Sequence, residues 1–449
     1  MAFCTTLRAP TASCWLTTAI VRSLSTSQTL NDKQHFKLVV VGNGTAGSAT
    51  AHMFSRKIGA GNVGIIDKAQ THYYQPGFTM VGGGIKTMDE VQRQSADLLP
   101  SGVKWVQDTA ETFDPANNTL TTKGGDQLTY DYLIMACGIQ LRFDKIKGAV
   151  DALEHVPNVS SNYSPKYVNK TYPNFEAFKN GQTAIFTFPV GPIKCAGAPQ
   201  KIAYIFDAYC RKHDKRSQST IMYNTALPRM FGVLHYAEPL LELAKRKEFV
   251  LNFKHNLVEV KSETNEAVFD VLDEDNKAIR QETYKYDFLH IGAPCSPQPA
   301  LLDAPKDFVD AVGFVMVNRD TLQHVNYPNV FALGDCSNAP TAKTAAAVAA
   351  QSGVVERNLS AVMDGKKPEA TYDGYTSCPL VTGYSKVILA EFDYDLKPLE
   401  TLPIDQRKER RLSFILKNNI MPPLYWNYLV KGRWRGPALV RKLFHLGMK

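Results

Sequence analysis

Short apolar runs, most of them ended by glycine, proline or another small residue, are the clearest pattern in the chain. They occupy positions 36–41, 63–66, 132–138, 183–188, 286–294 and 330–335. Near-continuous apolar runs of this length are typical of parallel strands buried on both faces. Segments with helical spacing, such as 48–57, lie between them. The pattern predicts an α/β protein in which helices cover parallel sheets.

The first apolar run leads directly into a glycine-rich turn. The turn reads Gly42-Asn43-Gly44-Thr45-Ala46-Gly47, and after the next helix a second short strand ends at Asp67. Gly42 permits a tight turn, Gly44 lets the backbone approach a pyrophosphate, and Gly47 lets helix and strand pack closely. Asp67 can accept a hydrogen bond from a ribose hydroxyl. The unit predicts a dinucleotide-binding βαβ fold with the diphosphate at the helix N-terminus.

The strand predicted at 183–188 is followed by a segment unlike such a turn. Pro189 and Pro192 stand where a second phosphate-binding turn would need glycine. Proline fixes φ and removes an N–H donor, so it cannot form that cradle. The middle of the chain has no other glycine motif of this type. The sequence therefore predicts that no nicotinamide nucleotide binds here.

Cys195 and Cys378 are the cysteines with a candidate chemical role. Cys195 follows Lys194 and precedes a helix expected to begin near Pro199; both an ammonium and a helix N-terminus stabilise a thiolate. Cys378 lies in a turn-like stretch, 374–379, past the last apolar run. For each of them a buried structural cysteine is an equal alternative, and periodicity cannot show that the two meet. The cysteines have no zinc-ligand spacing, so no metal site is predicted.

The carboxy-terminal region differs in charge from the rest of the chain. Residues 407–449 contain eleven Lys and Arg and one acidic residue, although the whole sequence carries only +8. Apolar residues recur there at near-helical spacing, and Pro422-Pro423 is expected to break the helix. The longest uncharged run, 418–430, has 13 residues, too few to span a bilayer. We expect a monotopic amphipathic membrane anchor; a cap on the adjoining domain or a dimer interface is the alternative.

Residues 1–30 are predicted to be a mitochondrial presequence that is removed. They contain Arg8 and Arg22 and many hydroxylated residues, and no acidic residue precedes Asp32. A disordered N-terminus is the alternative. The remaining chain is long enough for two or three domains, and a composition of 44% hydrophobic and 21% charged residues is ordinary for a globular enzyme.

Three apolar runs, at 132–138, 286–294 and 330–335, resemble the ordered motifs of flavoproteins with two dinucleotide-binding domains. The resemblance implies bound FAD, with Asp335 contacting the ribityl chain. It implies a helix beginning near 343–346 whose positive end points at the isoalloxazine. An FAD domain in two parts, 31–150 and 290–365, would be interrupted by a second Rossmann-like domain at 151–289. The region 366–449 would then form a quinone- and membrane-associated segment.

A more specific resemblance comes from the segments 72–76, 193–201, 334–336, 376–384 and 441–448. They are similar to those of the sulfide:quinone oxidoreductase family, and the similarity covers nearly the whole chain after the presequence. It implies that Cys195 and Cys378 are a redox pair beside the flavin. The FAD site is assigned to the glycine turn, Asp67 and Asp335, and also to Gln75, Val106, Lys343, Thr344, Ala345 and Ala346.

This resemblance implies an enzyme that oxidises hydrogen sulfide and reduces ubiquinone. Sulfide would attack the oxidised cysteine pair, bridged directly or through an extra sulfur, leaving a persulfide on Cys378 and a thiolate on Cys195 that passes electrons to the flavin. The sulfane sulfur would go to glutathione, sulfite or cyanide, and the enzyme would lie on the matrix face of the mitochondrial inner membrane. The alternatives are a type II NADH:quinone oxidoreductase, which needs a second glycine-rich turn, and a non-catalytic flavoprotein.

Overall fold

A seven-stranded sheet forms the first half of the fold. The computed structural model describes residues 34–447, so the predicted presequence lies outside the described residues. The sheet order is Lys104–Val106, Val63–Ile66, Gln34–Val41, Gln127–Met135, Thr119–Thr122 and Ala110–Asp114, and Val330–Ala332 also pairs with Gln127–Met135. The strands around Gln34–Val41 are parallel, and those at the far edge are antiparallel.

The central strands of this sheet are buried on both faces, as their apolar runs predict. Leu38, Val39 and Val40 are completely buried. Helices Thr45–Ile58 and Ala345–Met363 pack against this sheet and against each other. Because Val330–Ala332 returns to the first sheet, this half of the fold is built from two separate stretches of chain.

A second parallel sheet is formed by the intervening chain. Its order is Val159–Ser160, Phe288–His290, Thr183–Phe188, Thr220–Thr225 and Val250–Phe253. Helices Ala198–Lys212 and Leu234–Arg246 accompany it, together with an antiparallel sheet of His255–Lys261, Glu266–Leu272 and Ala278–Lys285. The fold class is therefore the predicted one, α/β with two Rossmann-like units.

Shorter elements complete the structure. Two-stranded ribbons pair Thr71–Tyr73 with Gln92–Gln94, Ile139–Leu141 with Cys295–Pro297, and Thr376–Gly383 with Lys386–Phe392. Short α-helices are Phe78–Gly82, Met88–Val91, Ala149–His155, Thr171–Ala177 and Pro299–Leu302. Single 3₁₀ turns are Ala60–Asn62, Gln75–Gly77, Ala96–Leu98, Pro115–Asn117, Phe143–Lys145, Val168–Lys170 and Gly334–Cys336.

The turn predicted around Cys378 is wrong. Cys378 lies inside the strand Thr376–Gly383, where it pairs with Ala390. The proline that suggested a turn, Pro379, is tolerated because this ribbon has only two strands. A strand with an open edge can leave one residue without an N–H donor.

The predicted helix break at Pro422-Pro423 is also wrong. Helical turns continue through Arg411–Ile415, Leu416–Ile420, Met421–Leu424 and Tyr425–Leu429. The second and fourth stretches are π-helical, and the wider π turns change the partner of each N–H from i−4 to i−5. A π turn directly before the prolines is wider than an α-helical turn and so gives their rings more room. A last helix, Ala438–Phe444, follows.

These carboxy-terminal helices combine a buried side with an apolar exposed side. Tyr425, Trp426, Leu429 and Val430 are buried against the apolar cluster around Tyr74 and Phe78. Eight apolar side chains in the same region are largely exposed: Leu412, Ile415, Ile420, Tyr428, Leu439, Leu443, Phe444 and Leu446. Between residues 34 and 447 no helix is both long and apolar enough to cross a bilayer.

Gly47 is predicted to be required for the first βαβ unit itself. A Cβ at Gly47 would lie 1.7 Å from the carbonyl oxygen of Gly42, whereas a Cβ at Gly44 would have no atom within 4 Å. We expect Gly47→Ser to lower the free energy of unfolding of the flavin-free protein by about 2 kcal/mol or more. Gly44→Ser, the matched control, should change it by less than about 0.5 kcal/mol, because serine is a good N-cap residue. Thermal unfolding of both variants checks this, and equal losses would contradict the assignment.

Candidate active site

One large cavity, of about 840 Å³, brings most of the predicted site residues together. Cys195 and Cys378 line it, as do Gly42, Gly44, Thr45, Ala46, Asp67, Gln75, Asp335, Lys343, Thr344, Ala345 and Ala346. Gly47 and Val106 do not line it. Gly47 lies behind the turn, and the carbonyl of Val106 accepts a hydrogen bond from the N–H of Asp67 at 3.2 Å.

The glycine-turn end of the cavity fits a dinucleotide. Gly42 adopts a φ of 101°, which favours glycine, and the N–H of Asn43 donates to Asp67 Oδ2 at 2.6 Å. The side-chain amide of Asn43 is buried without a hydrogen-bond partner among the described residues, so it is available to a polar group of a bound dinucleotide. The N-terminus of helix Thr45–Ile58 follows, and such an N-terminus attracts a diphosphate.

The second half of the predicted cofactor site lies near the strand end at Val330–Ala332. Burial raises the pKa of Asp335, and the nearby Lys194 and Lys343 oppose that effect. The helix predicted near 343–346 begins at Ala345, and the Thr344 hydroxyl caps it by accepting a hydrogen bond from the Ala347 N–H at 3.1 Å. The positive end of this helix therefore faces the cavity.

The two candidate cysteines meet at the wall of this cavity. Their Sγ atoms are 3.7 Å apart, although the residues are separated by 183 positions. Cys195 has a φ of 49°, a left-handed conformation that costs a non-glycine residue about 1 kcal/mol or more. Such strain is concentrated at functional sites.

Lys201 is the cation that acts on this pair. Its Nζ lies 3.2 Å from Cys195 Sγ. A hydrogen bond from Cys378 and the charge of Lys201 hold the pKa of Cys195 well below its usual range, although burial opposes this. The same hydrogen bond, together with burial, raises the pKa of Cys378. Burial would lower the pKa of Lys201, but the nearby sulfur charges outweigh it and raise that pKa.

The sequence placed a different lysine beside Cys195. Lys194 is its neighbour in the chain, but its Nζ instead donates to Gln75 Oε1 at 3.3 Å. Lys201 lies in the first turn of helix Ala198–Lys212, which begins one residue before the predicted Pro199. The sequence did contain a signal for this lysine: Lys201 lies six residues after Cys195, in the first turn of the helix that was predicted to follow it.

Lys417 is a second buried lysine of the site, and no sequence pattern pointed to it. It lines the cavity from the π-helical turn Leu416–Ile420, and its Nζ donates to the carbonyl of Pro76 at 2.8 Å. Burial, together with the charge of Lys201, lowers its pKa to about 7. It is therefore near its midpoint of titration at neutral pH.

The carboxy-terminal helices are joined to the glycine turn by hydrogen bonds. The Tyr425 hydroxyl lies 2.7 Å from His72 Nε2 and 2.9 Å from Thr45 Oγ1. His72 Nδ1 in turn lies 2.9 Å from the Asn43 carbonyl. Burial lowers the pKa of His72 to about 4, so this histidine is neutral at physiological pH. The carboxy-terminal segment is thus part of the cavity wall.

The fold and site define an FAD-dependent oxidoreductase with a cysteine pair at the flavin cavity. Residues 36–178 match the family described as pyridine nucleotide-disulphide oxidoreductase. The mitochondrial sulfide:quinone oxidoreductase of Mus musculus is 47% identical over 425 residues, covering 95% of this chain and 93% of the mouse protein. That of Dictyostelium discoideum is 42% identical, covering 89% and 87%. The chain belongs to the sulfide:quinone oxidoreductase family.

A solved structure confirms the fold at low sequence identity. The sulfide:quinone oxidoreductase from Aquifex aeolicus superposes with a TM-score of 0.75 at 18% identity, covering 93% of this chain and 96% of that one. At such identity the likeness supports the fold alone.

Lys201 is predicted to set the reactivity of Cys195. In Lys201→Met the pKa of Cys195 should rise, because a cation within a few ångströms no longer stabilises the thiolate. Only the thiolate is nucleophilic, so alkylation of Cys195 should slow as pH falls through the raised pKa, while the unchanged protein still reacts. Mass spectrometry after iodoacetamide treatment of reduced protein at several pH values measures this. Lys201→Arg should restore the profile, and an identical profile in Lys201→Met would exclude the role.

Proposed function

We propose that the protein catalyses the two-electron oxidation of hydrogen sulfide at Cys195 and Cys378, with FAD and ubiquinone as successive electron acceptors. The observation that carries the proposal is the cysteine pair, 3.7 Å apart at the wall of the dinucleotide cavity, with the buried ammonium of Lys201 3.2 Å from the Cys195 sulfur. The cofactor residues are those of the glycine turn with Asp67, Gln75, Asp335 and Lys343–Ala346. Val106 supports the position of Asp67 from behind.

The asymmetry of the pair sets the direction of the first step. Hydrosulfide attacks Cys378 Sγ in the oxidised pair, a new S–S bond forms there, and the bond to Cys195 breaks. The products are a persulfide on Cys378 and a thiolate on Cys195, so the pair has gained two electrons. The sulfur with the lower pKa is the better leaving group, and here that sulfur is Cys195, held as thiolate by Lys201.

The second half of the cycle restores the pair. FAD, when bound, supplies a two-electron acceptor that can pass its electrons to a quinone. A nucleophilic acceptor takes the outer sulfur of the Cys378 persulfide, which leaves Cys378 as a thiolate. The Cys195 thiolate then bonds to Cys378 Sγ, and the two electrons released as this S–S bond re-forms would go to FAD. Glutathione, sulfite and cyanide all have the required nucleophilic atom. Lys201 and Lys417 keep the sulfur-exchange region cationic, which favours anionic reactants.

An apolar arm of the cavity gives ubiquinone a route from the membrane. It is lined from the carboxy-terminal helices by Leu416, Ile420, Met421, Leu424, Val440 and Phe444. Ile420 and Phe444 are also among the exposed apolar side chains of that region. An apolar quinone could therefore pass from lipid to the cavity without crossing water. We propose peripheral, monotopic binding through residues 407–449 on the matrix face of the mitochondrial inner membrane, after removal of residues 1–30.

NADH is disfavoured as the electron donor. The chain after Thr183–Phe188 carries Pro189 and Pro192, and it brings Cys195 to Lys201 and Cys378 instead of forming a glycine cradle. The proposal therefore gives this loop a redox role in place of nucleotide binding.

Cys195→Ser and Cys378→Ser are each predicted to abolish sulfide-dependent flavin reduction while FAD stays bound. Without one sulfur the bond that sulfide attacks cannot form. Anaerobic bleaching of the flavin absorbance by sulfide, followed by recovery with a short-chain quinone, measures the two half-reactions. Cys210→Ala, a buried cysteine that does not line the cavity, is the control and should bleach normally. Bleaching by NADH, or near-normal bleaching in either serine variant, would refute the proposal.

The exposed apolar face of the carboxy-terminal helices is predicted to bind lipid. Leu439 and Leu443 are 82% and 72% exposed. Leu439→Glu combined with Leu443→Glu should weaken liposome binding by about 100-fold, because two leucine side chains lose their apolar burial. Flavin bleaching by sulfide should be unchanged. Leu234→Glu combined with Val312→Glu, which alters similarly exposed residues elsewhere, is the control for liposome flotation. Equal flotation of the unchanged protein and both variants would exclude this face as the lipid-binding surface.

A further inference from the structure

A cationic groove lies apart from the cavity of the active site. Its volume is about 480 Å³, and it is bounded by the end of helix Ala198–Lys212, the end of helix Leu234–Arg246 and the tip of the ribbon Thr376–Gly383. Five basic side chains line it, Arg211, Lys212, Arg246, Lys247 and Lys386, with Glu409 as the one acidic lining residue. The reaction proposed above uses none of them.

Part of this positive charge is neutralised within the protein. Buried Asp207 accepts from Arg211, Arg216 and Lys247, at 3.1, 3.0 and 2.6 Å. Glu409 lies 3.6 Å from Arg246, and exposed Glu248 lies 3.7 Å from Arg211. Asp207 therefore fixes the floor of the groove and leaves it with an excess of cations.

Lys212 and Lys386 supply the uncompensated charge at its rim. Both are exposed, and within residues 34–447 neither has a carboxylate within 4 Å. Thr382, also in the lining, has a buried hydroxyl without a partner among the described residues. Such a groove attracts a phosphate group more strongly than a neutral polar ligand.

The position of the groove points to a phosphate at a membrane surface. Val387, next to Lys386, forms a β-bridge with Arg410, and helix Arg411–Ile415 begins at the following residue. That helix exposes Leu412 and Ile415, 52% and 43% accessible, which belong to the apolar face described above. The groove is thus directly beside the start of the face that is expected to enter lipid. Basic pockets beside membrane-associated helices are typical of sites for anionic lipid headgroups.

We propose that this groove binds the phosphate of an anionic phospholipid headgroup and so sets the orientation of the protein on the membrane. The proposal rests on the membrane binding proposed above, which supplies the lipid surface. The apolar face provides insertion, and the groove adds preference for anionic over neutral lipid. A fixed groove beside the first membrane helix also limits rotation of the protein about the axis of that helix, which keeps the apolar arm of the cavity facing lipid.

The test compares Lys212→Ala/Lys386→Ala with the control Lys123→Ala/Lys306→Ala, which removes the same charge from exposed positions outside the groove. Full-length FAD-loaded protein is floated with phosphatidylcholine vesicles and with vesicles that also contain an anionic phospholipid. The groove variant should lose about 25-fold in binding to anionic vesicles, from about a fivefold loss per lysine, and should bind neutral vesicles normally. The control should keep its anionic preference.

Different failures have different meanings. If neither the unchanged protein nor the control variant binds any vesicle, the proposed membrane association fails and the groove proposal fails with it. If both variants lose the same anionic preference, the effect is general surface charge and the groove is not a lipid site. Inorganic phosphate at constant ionic strength is the second probe. Binding of free phosphate to the groove without any loss of anionic-lipid preference in the groove variant would overturn the lipid assignment.

Discussion

The close approach of one helix N-terminus to one ribbon is the contact on which the active site depends. A Cβ at Gly197 would lie 2.8 Å from Cys378 Sγ and 2.5 Å from Leu380. Because glycine has no side chain, the start of helix Ala198–Lys212 can lie directly on the strand that carries Cys378. The same contact brings Cys195 to Cys378 and directs Lys201 toward Cys195. A side chain at this position would separate the sulfurs and also remove the cation from the sulfur that it stabilises.

The electrostatics of the site follow from burying cations without carboxylate partners. A buried ammonium is costly unless something negative accompanies it, and beside Cys195 the accompanying charge is a thiolate. Lys201 and the Cys195 thiolate therefore stabilise each other, which makes the two sulfurs chemically different although they are in contact. For Lys417, burial and the charge of Lys201 lower the pKa by more than the charges of the two sulfurs raise it. One pair of cysteines in contact thus contains one sulfur with a lowered pKa and one with a raised pKa.

The carboxy-terminal helices serve the cofactor cavity and the exterior at the same time. On the inner side, Ser48 donates to the Val430 carbonyl at 3.1 Å, and Tyr425 bonds to His72 and Thr45 beside the glycine turn. On the outer side the same helices expose leucine, isoleucine and phenylalanine. Removing the whole segment would therefore disturb the nucleotide turn as well as the exposed apolar surface. This is why single exposed positions separate the two roles better than a truncation does.

Local pattern in the sequence determined the first βαβ unit, the strand Thr183–Phe188, the helix beginning near Pro199 and the amphipathic tail. These features depend on residue spacing, on glycine and proline, and on the charge of neighbours, all of which are local properties. The tertiary structure decided which groups form the active site: the contact of Cys195 with Cys378, Lys201 instead of Lys194 beside Cys195, and the buried Lys417. It also decided two backbone features, the strand around Cys378 and the helix that continues through Pro422. Each of these features depends on contacts between segments distant in sequence or on a change of backbone hydrogen-bond register. Such contacts and register changes produce no periodic pattern of residues in the chain.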